Sequence, residues 1–324
     1  MKKRYFIMIL ILFSALLIAG VLVKSLPRET SDTITAPQAY FCLRDNCTEV
    51  LFNYLSNSKK SIHCAFFELD IPKIIELLSE KSKSIEVKIV IDGDYQTDEL
   101  KGPGVHYENK SSYMHNKFCI IDRTAVFTGS FNPNIGSAYK NDNNILIMSS
   151  KTLADNYESE FSELWNWTFG KGEVTKNQVI NIGEIQYKNY FCPEDHCSTK
   201  VSLELSKAKS SIYFMIFSFT HKRVAQSLVI KKHEGLDVKG IMEKSQNSKY
   251  SVYNYLRYHD IEVNYDKNSY LMHHKVFIID NETVITGSFN PSDNADKSND
   301  ENVIIVKDRT LAKKFVEEFN LLSN

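Results

Sequence analysis

Residues 114–134 read MHNKFCIIDRTAVFTGSFNPN, and residues 272–292 of the same chain read MHHKVFIIDNETVITGSFNPS. His, Lys, Asp, Gly, Ser and Asn keep one register in both copies while the hydrophobic residues between them vary. Packing asks only for apolar volume at such positions and tolerates swaps among similar sizes. It does not ask for the same polar groups twice, so the polar set is what has been duplicated.

The repetition extends outward from these phrases. SKKSIHCAFFELD from residue 58 answers AKSSIYFMIFSFT from 208, VKIVIDGD from 87 answers VKGIMEKS from 238, and YFCLRDNC from 40 answers YFCPEDHC from 190. Each unit spans about 140 residues, too long for a solenoid repeat and suited to a duplicated domain. The expected organisation is a first unit over 40–169, a linker over 170–185 marked by Gly170 and Gly172, and a second unit over 186–324. Within the first unit the pattern predicts a helix around 48–58, a strand over 61–69, a helix over 71–83 and a strand over 86–92. Short strands over 115–121, 125–128 and 144–148 follow, with a closing helix over 153–165. The second unit repeats this order and ends with a helix over 310–322. Strands alternating with helices argue for α/β units whose mixed or mostly parallel sheets are flanked by helices.

The net charge of -1 over 324 residues gives no global pull toward nucleic acid or an anionic surface, so any anion site must be built locally. Lys2, Lys3 and Arg4 precede an uncharged apolar run over 5–23. Roughly 17 to 25 such residues cross a bilayer as a helix. The expectation is an N-terminal membrane anchor over 1–24 and a tether over 25–39, with the rest on the extracytoplasmic face. A cleaved signal sequence, which would make the protein secreted, is the rival reading. Cys42 and Cys47 open the first unit as Cys192 and Cys197 open the second, and one local disulfide per unit is expected. A shared four-thiolate zinc site is the alternative. Cys64 and Cys119 lie in apolar strand-like runs and are expected as buried free thiols.

Side chains two apart on a strand share a face, so His115 and Lys117 point together, as do His273 and Lys275. The turns after the next strand bring Gly129, Ser130 and Asn132, and Gly287, Ser288 and Asn290, which offer hydroxyl and amide groups. A lone His-x-Lys or Gly-Ser is ordinary, but the whole set written twice is not. These residues match the HxK(x)4D(x)6GSxN signature, and the chain from about residue 40 onward resembles the phospholipase D superfamily. The resemblance implies two α/β units about a pseudo-twofold axis, with both motifs meeting in one site.

It further implies a phosphodiesterase needing no metal or other cofactor, in which Lys117, Lys275, Asn132 and Asn290 bind the phosphate oxygens. One histidine forms a phosphohistidine while the other acts as acid and base. By the resemblance His115 is the nucleophile and His273 the acid/base. Ser130 and Ser288 assist substrate binding, and Asp122 and Asp280 are structural. Family members steady each histidine with an acidic residue from the opposite copy. Glu301 stands at that place for His115, but its counterpart is Asn143, flanked by Asp142.

His63, His106, His196, His221, His233 and His259 show no metal-ligand spacing, and His274 should face away from His273. Tyr113, Tyr139, Tyr250, Tyr253 and Tyr270 are candidates for a substrate groove as well as for packing. The expected substrate is a phospholipid, because the anchor keeps the site near headgroups and no basic excess is present for a polynucleotide. The alternative is an exported endonuclease cleaving DNA or RNA by the same two-histidine chemistry. Two fused units would make the monomer functional.

Overall fold

The computed structural model describes residues 35–100, 102, 104–108 and 112–323. The anchor expected over 1–24 and most of the tether lie outside them. Among the described residues no helix is long and apolar enough to cross a membrane.

Each unit builds one mixed sheet. The first runs Gln38–Phe41, Asn144–Ser149, Ala125–Gly129, Lys117–Ile121, Ser61–Phe66, Glu86–Ile91, Gly104–Tyr107. The second runs Glu262–Tyr265, Asp237–Met242, Ser211–Ile216, Lys275–Ile279, Thr283–Gly287, Glu301–Lys307, Ile185–Cys192, Val179–Ile182. Ser61–Phe66, Glu86–Ile91 and Gly104–Tyr107 are mutually parallel, and the remaining pairs are antiparallel; the second sheet repeats this split. Every residue of Lys117–Ile121 and of Lys275–Ile279 is buried, which is why these motif strands read as unbroken apolar runs after the lysine. Both occupy the middle of their sheets, so the residues entering them are held rigidly.

Three apolar layers result. One joins the two halves, gathering Phe118, Ile120 and Tyr157 with Val276, Ile278 and Phe315, and two outer layers lie under Cys47–Ser56 and Pro72–Lys81 and under Cys197–Leu205 and Lys222–His233. Helix Lys151–Trp165 packs on strands of its own sheet and on Ile185–Cys192 of the other, and Arg309–Ser323 likewise reaches Gln38–Phe41. The closing helices therefore weld the halves together. Burying each large apolar side chain between them stabilises the join by about 1.5–3 kcal/mol.

Two features differ from the sequence expectation. Val179–Ile182, within the stretch read as linker, is an edge strand of the second sheet. Cys64 and Cys119 are not free thiols but a disulfide, because the antiparallel register of Ser61–Phe66 with Lys117–Ile121 sets them directly opposite, with Cα atoms 4.1 Å apart. Cys42–Cys47 and Cys192–Cys197 are disulfides as expected.

Candidate active site

Each motif histidine sits just before its buried strand, where the chain touches the other half. Met114 bridges to Asp300 and Met272 to Asp142. The His115 N–H donates to the Asp300 carbonyl at 2.9 Å, and the His273 N–H to the Asp142 carbonyl at 2.8 Å. Behind them the Thr128 hydroxyl donates to Asn302 Oδ1 at 2.8 Å, and Asn144 Nδ2 donates to the Thr286 hydroxyl at 3.0 Å. Every cross-half contact in this set occurs twice with the halves exchanged, so a pseudo-twofold axis runs through the site.

The side chains follow the same plan until the acidic position. His115 Nδ1 lies 2.8 Å from the Glu301 carboxylate, whose residue is fully buried. His273 Nδ1 lies 2.9 Å from Asn143 Oδ1. The Asn143 amide is oriented by its surroundings: its Nδ2 donates to the Ser137 and Asn141 carbonyls, and its Oδ1 also accepts from the Ser130 hydroxyl at 3.0 Å. Both partners are acceptors, so both rings carry hydrogen on Nδ1 and turn Nε2 to the site. Asp142 does not substitute for the missing acid, because its carboxylate accepts from Asn268 Nδ2 at 2.8 Å.

Lys117 Nζ donates to the His115 carbonyl at 2.6 Å and Lys275 Nζ to the His273 carbonyl at 2.9 Å, which ties each ammonium beside its own histidine. Phe67 meets His115 edge-on at 4.8 Å and Phe217 meets His273 at 4.7 Å. Each ring also lies 5.0 Å from the neighbouring lysine Nζ. These two phenylalanines, absent from the sequence-derived set, stand at matching places in SKKSIHCAFFELD and AKSSIYFMIFSFT; that identity was their signal. Among the described residues, the Oδ1 atoms of Asn132 and Asn290 are buried without a partner. An unmet buried acceptor costs about 1–3 kcal/mol, and its recurrence in both halves suits a position kept for a ligand.

Electrostatics reinforce this. Burial, then Lys117 and Lys275, hold the His115 imidazolium well below the ordinary histidine range. Burial, then Lys275, Lys117 and His115, do the same to His273. Burial brings Lys117 down to about 7 and, with Lys117 beside it, pushes Lys275 well below the usual lysine range. Burial raises Glu301 to about 8 against the opposing pull of Lys117 and Lys275. Four basic groups repel one another in one buried space, and a phosphate anion placed among them would relieve the repulsion.

Asp122 and Asp280 lie at the other ends of the motif strands. Asp122 Oδ1 accepts from the backbone N–H groups of Lys59, Lys60 and Ser61, and Asp280 Oδ1 from those of Lys209, Ser210 and Ser211. Ser288 stands behind Glu301 as Ser130 stands behind Asn143: its hydroxyl accepts from the Asn302 N–H at 2.9 Å as that of Ser130 accepts from the Asn144 N–H at 3.0 Å. His274 turns away from His273 to place Nδ1 3.0 Å from Asn144 Oδ1. Tyr113, Tyr139, Tyr250 and Tyr270 are exposed, whereas Tyr253 is half-buried and stacks on Tyr265. Among the described residues, Glu160, Glu163 and Glu194 bring carboxylate oxygens within 4.8 Å of one another and are the group able to hold a cation. Asn116, next to His115 in the chain, donates from its Nδ2 to Glu160 at 3.1 Å.

The model of the family described as cardiolipin synthase, PLD-like domain, matches residues 51–165 and again 201–322. The chain belongs to that family. Phospholipase D of Rickettsia felis is 31% identical over 163 residues, 49% of this chain and 82% of that protein. Mitochondrial cardiolipin hydrolase of Xenopus tropicalis is 30% identical over 130 residues, 37% of this chain and 62% of that protein. The crystal structure of phosphatidylserine synthase from Haemophilus influenzae superposes over 88% of this chain and 86% of its own with a TM-score of 0.65, and at 12% identity it speaks for the fold alone. The Rickettsia alignment spans the length of one PLD-like unit, and this chain carries two.

Proposed function

We propose that this PLD-like protein hydrolyses phospholipid phosphodiesters through a phosphohistidine on His115. The observation that carries the reading is the convergence of His115, His273, Lys117 and Lys275 on one buried site, each histidine held at Nδ1 by the opposite half. Phospholipase D and cardiolipin hydrolase relatives support a lipid diester as substrate. The two ammonium groups and the amides of Asn132 and Asn290 bind the phosphate oxygens and take up the charge that gathers there in the transition state. Ser130 and Ser288 support the site through Asn143 and Glu301.

The two histidine environments suit different tasks. His115 Nε2 attacks phosphorus as the bond to the headgroup oxygen breaks, and His273, which takes up a proton at Nε2 when the phosphate anion enters among the basic groups, gives that proton to the oxygen. The phosphorylated ring is cationic, and its charge beside Glu301 favours the carboxylate form of that residue, which stabilises the ring at Nδ1. A neutral amide at His273 does not reward the imidazolium, so that ring remains a willing proton donor. Water then loses a proton to His273 as its oxygen bonds to phosphorus, the phosphorus–nitrogen bond breaks, and both rings return to their starting states. We further place the protein on the extracytoplasmic side, a reading supported by the apolar run over 5–23 and by three disulfides.

The test is turnover by the purified full chain of phosphatidylcholine and cardiolipin vesicles beside plasmid DNA. Release of phosphatidic acid is expected. DNA nicking with no lipid product would replace the lipid reading with the endonuclease.

A further inference from the structure

The short helices that follow the two Gly-Ser-Phe-Asn turns occupy equivalent places, yet they present opposite surfaces. In the second half, Asp293–Lys297 shows solvent an ion pair, Lys297 Nζ to Asp293 at 2.6 Å. In the first half, Ile135–Tyr139 puts Ile135 and Tyr139 at those same two positions, 51% and 59% exposed. Positions i and i+4 lie on one helix face. Beside them Tyr270, 55% exposed, carries Lys140 Nζ 5.1 Å above its ring.

This patch borders the histidines. Asn268 Nδ2 donates to the Lys140 carbonyl at 3.0 Å and to the Asp142 carboxylate at 2.8 Å, lacing the end of the helix to the loop that enters His273. Across the mouth Tyr113, 49% exposed, directly precedes Met114 and His115. Singly exposed apolar residues are ordinary, but a contiguous group at the rim of a site is not. An aliphatic residue with tyrosines is the composition that settles at a membrane–water interface, and a lysine above a ring can snorkel to a phosphate. A polynucleotide would ask for basic residues where Ile135 and Tyr139 stand.

We infer that the face bearing Ile135, Tyr139, Lys140 and Tyr270 rests on a phospholipid bilayer and seats the catalytic mouth on the headgroup layer. The inference deepens the lipid reading and rests on it. Docking this face brings His273 and His115 to the depth of the lipid phosphates without drawing a lipid fully out of the bilayer.

The double variant Ile135→Asp/Tyr139→Lys transplants the ion pair that the second half already tolerates on the same helix. In the full chain it should lower turnover of phosphatidylcholine vesicles about tenfold or more, while turnover of bis(p-nitrophenyl) phosphate and of monomeric dibutyryl phosphatidylcholine stays at the parent level. Equal loss on the soluble diesters would mean damage to the site and would overturn the inference, as would parent-level activity on vesicles. Tyr139→Trp provides a readout independent of catalysis: its fluorescence should be quenched by vesicles of brominated phosphatidylcholine, and no quenching would overturn docking by this face. A parent protein that turns over no diester would instead sink the hydrolase reading, leaving the fluorescence result to decide the docking face.

Discussion

The two halves of this protein share a fold, a strand order and a motif, and they part where chemistry or stability asks for a difference. Behind the histidines, Glu301 faces His115 where Asn143 faces His273. In the sheets, the cross-strand pair Cys64 and Cys119 of the first half is replaced by Phe214 and Phe277, with ring centroids 6.1 Å apart, in the second. Under the closing helices, His63 stacks on Phe161 at 4.8 Å and meets Glu86, whereas Tyr213 stacks on Phe319 at 5.1 Å and donates to Asp237. A duplicated unit can change a side chain freely where only its own half depends on it. Of the contacts that cross between the halves, Thr128 and Thr286 with Asn302 and Asn144 keep the same residues, whereas the position behind the histidine does not.

The strongest way to break this comparison is to remove the histidines one at a time. His115→Ala and His273→Ala should each lower turnover by about a thousandfold or more, since nucleophile and proton donor are both required. Mass spectrometry of quenched reactions should find phosphorylated His115 in the His273 variant and none in the His115 variant. A phosphorylated His273 would exchange the assigned roles.

The cross-strand pairs come next. Closing a loop limits the unfolded chain more when the loop is long, so Cys64→Ala/Cys119→Ala should cost about 4 kcal/mol and Cys42→Ala/Cys47→Ala about 2 kcal/mol in denaturant unfolding. Their sequence separations are 55 and 5 residues. Equal losses would mean that local packing, not loop closure, is what these bonds contribute.

The acidic position sharpens the contrast further. Glu301→Gln should lower turnover about a hundredfold by removing the charge that steadies the phosphorylated ring. Asn143→Asp should place a carboxylate beside His273, favour its imidazolium and move the corresponding limb of the pH–rate profile upward by about one to two pH units. A profile unmoved by Asn143→Asp would show that this position does not tune His273.

The smallest effect concerns pH and anion affinity. With Lys117 held at about 7, the empty site gives up an ammonium proton as pH rises through that value, and anion binding must restore it. The tungstate dissociation constant should therefore rise by up to about tenfold per pH unit above about pH 7 for one linked proton. Lys117→Arg, which stays charged, should flatten the dependence in calorimetric titrations. A flat profile in the parent protein would mean that Lys117 is already charged in the empty site.

Much of this was legible in the chain itself. The doubled motif fixed the two-unit architecture, the order of the principal strands and helices, and the identity of His115, Lys117, His273 and Lys275, because polar residues repeated among variable hydrophobics signal a shared chemical demand. Glu301 and its missing counterpart were readable from the same alignment. The edge strands Gln38–Phe41 and Val179–Ile182 were not, since four-residue strands carry too little periodicity and draw their hydrogen bonds from distant partners.

Sequence alone determined which residues come in pairs, because duplication leaves a local record. Only the tertiary structure decided how the pairs are joined: that Asn302 and Asn144 cross the axis to Thr128 and Thr286, that Cys64 reaches Cys119, and that one rim is apolar where the other is charged. Those outcomes depend on strand register and on the packing of one half against the other. Contacts between residues far apart in the chain are set by the closed fold, and no local pattern encodes them.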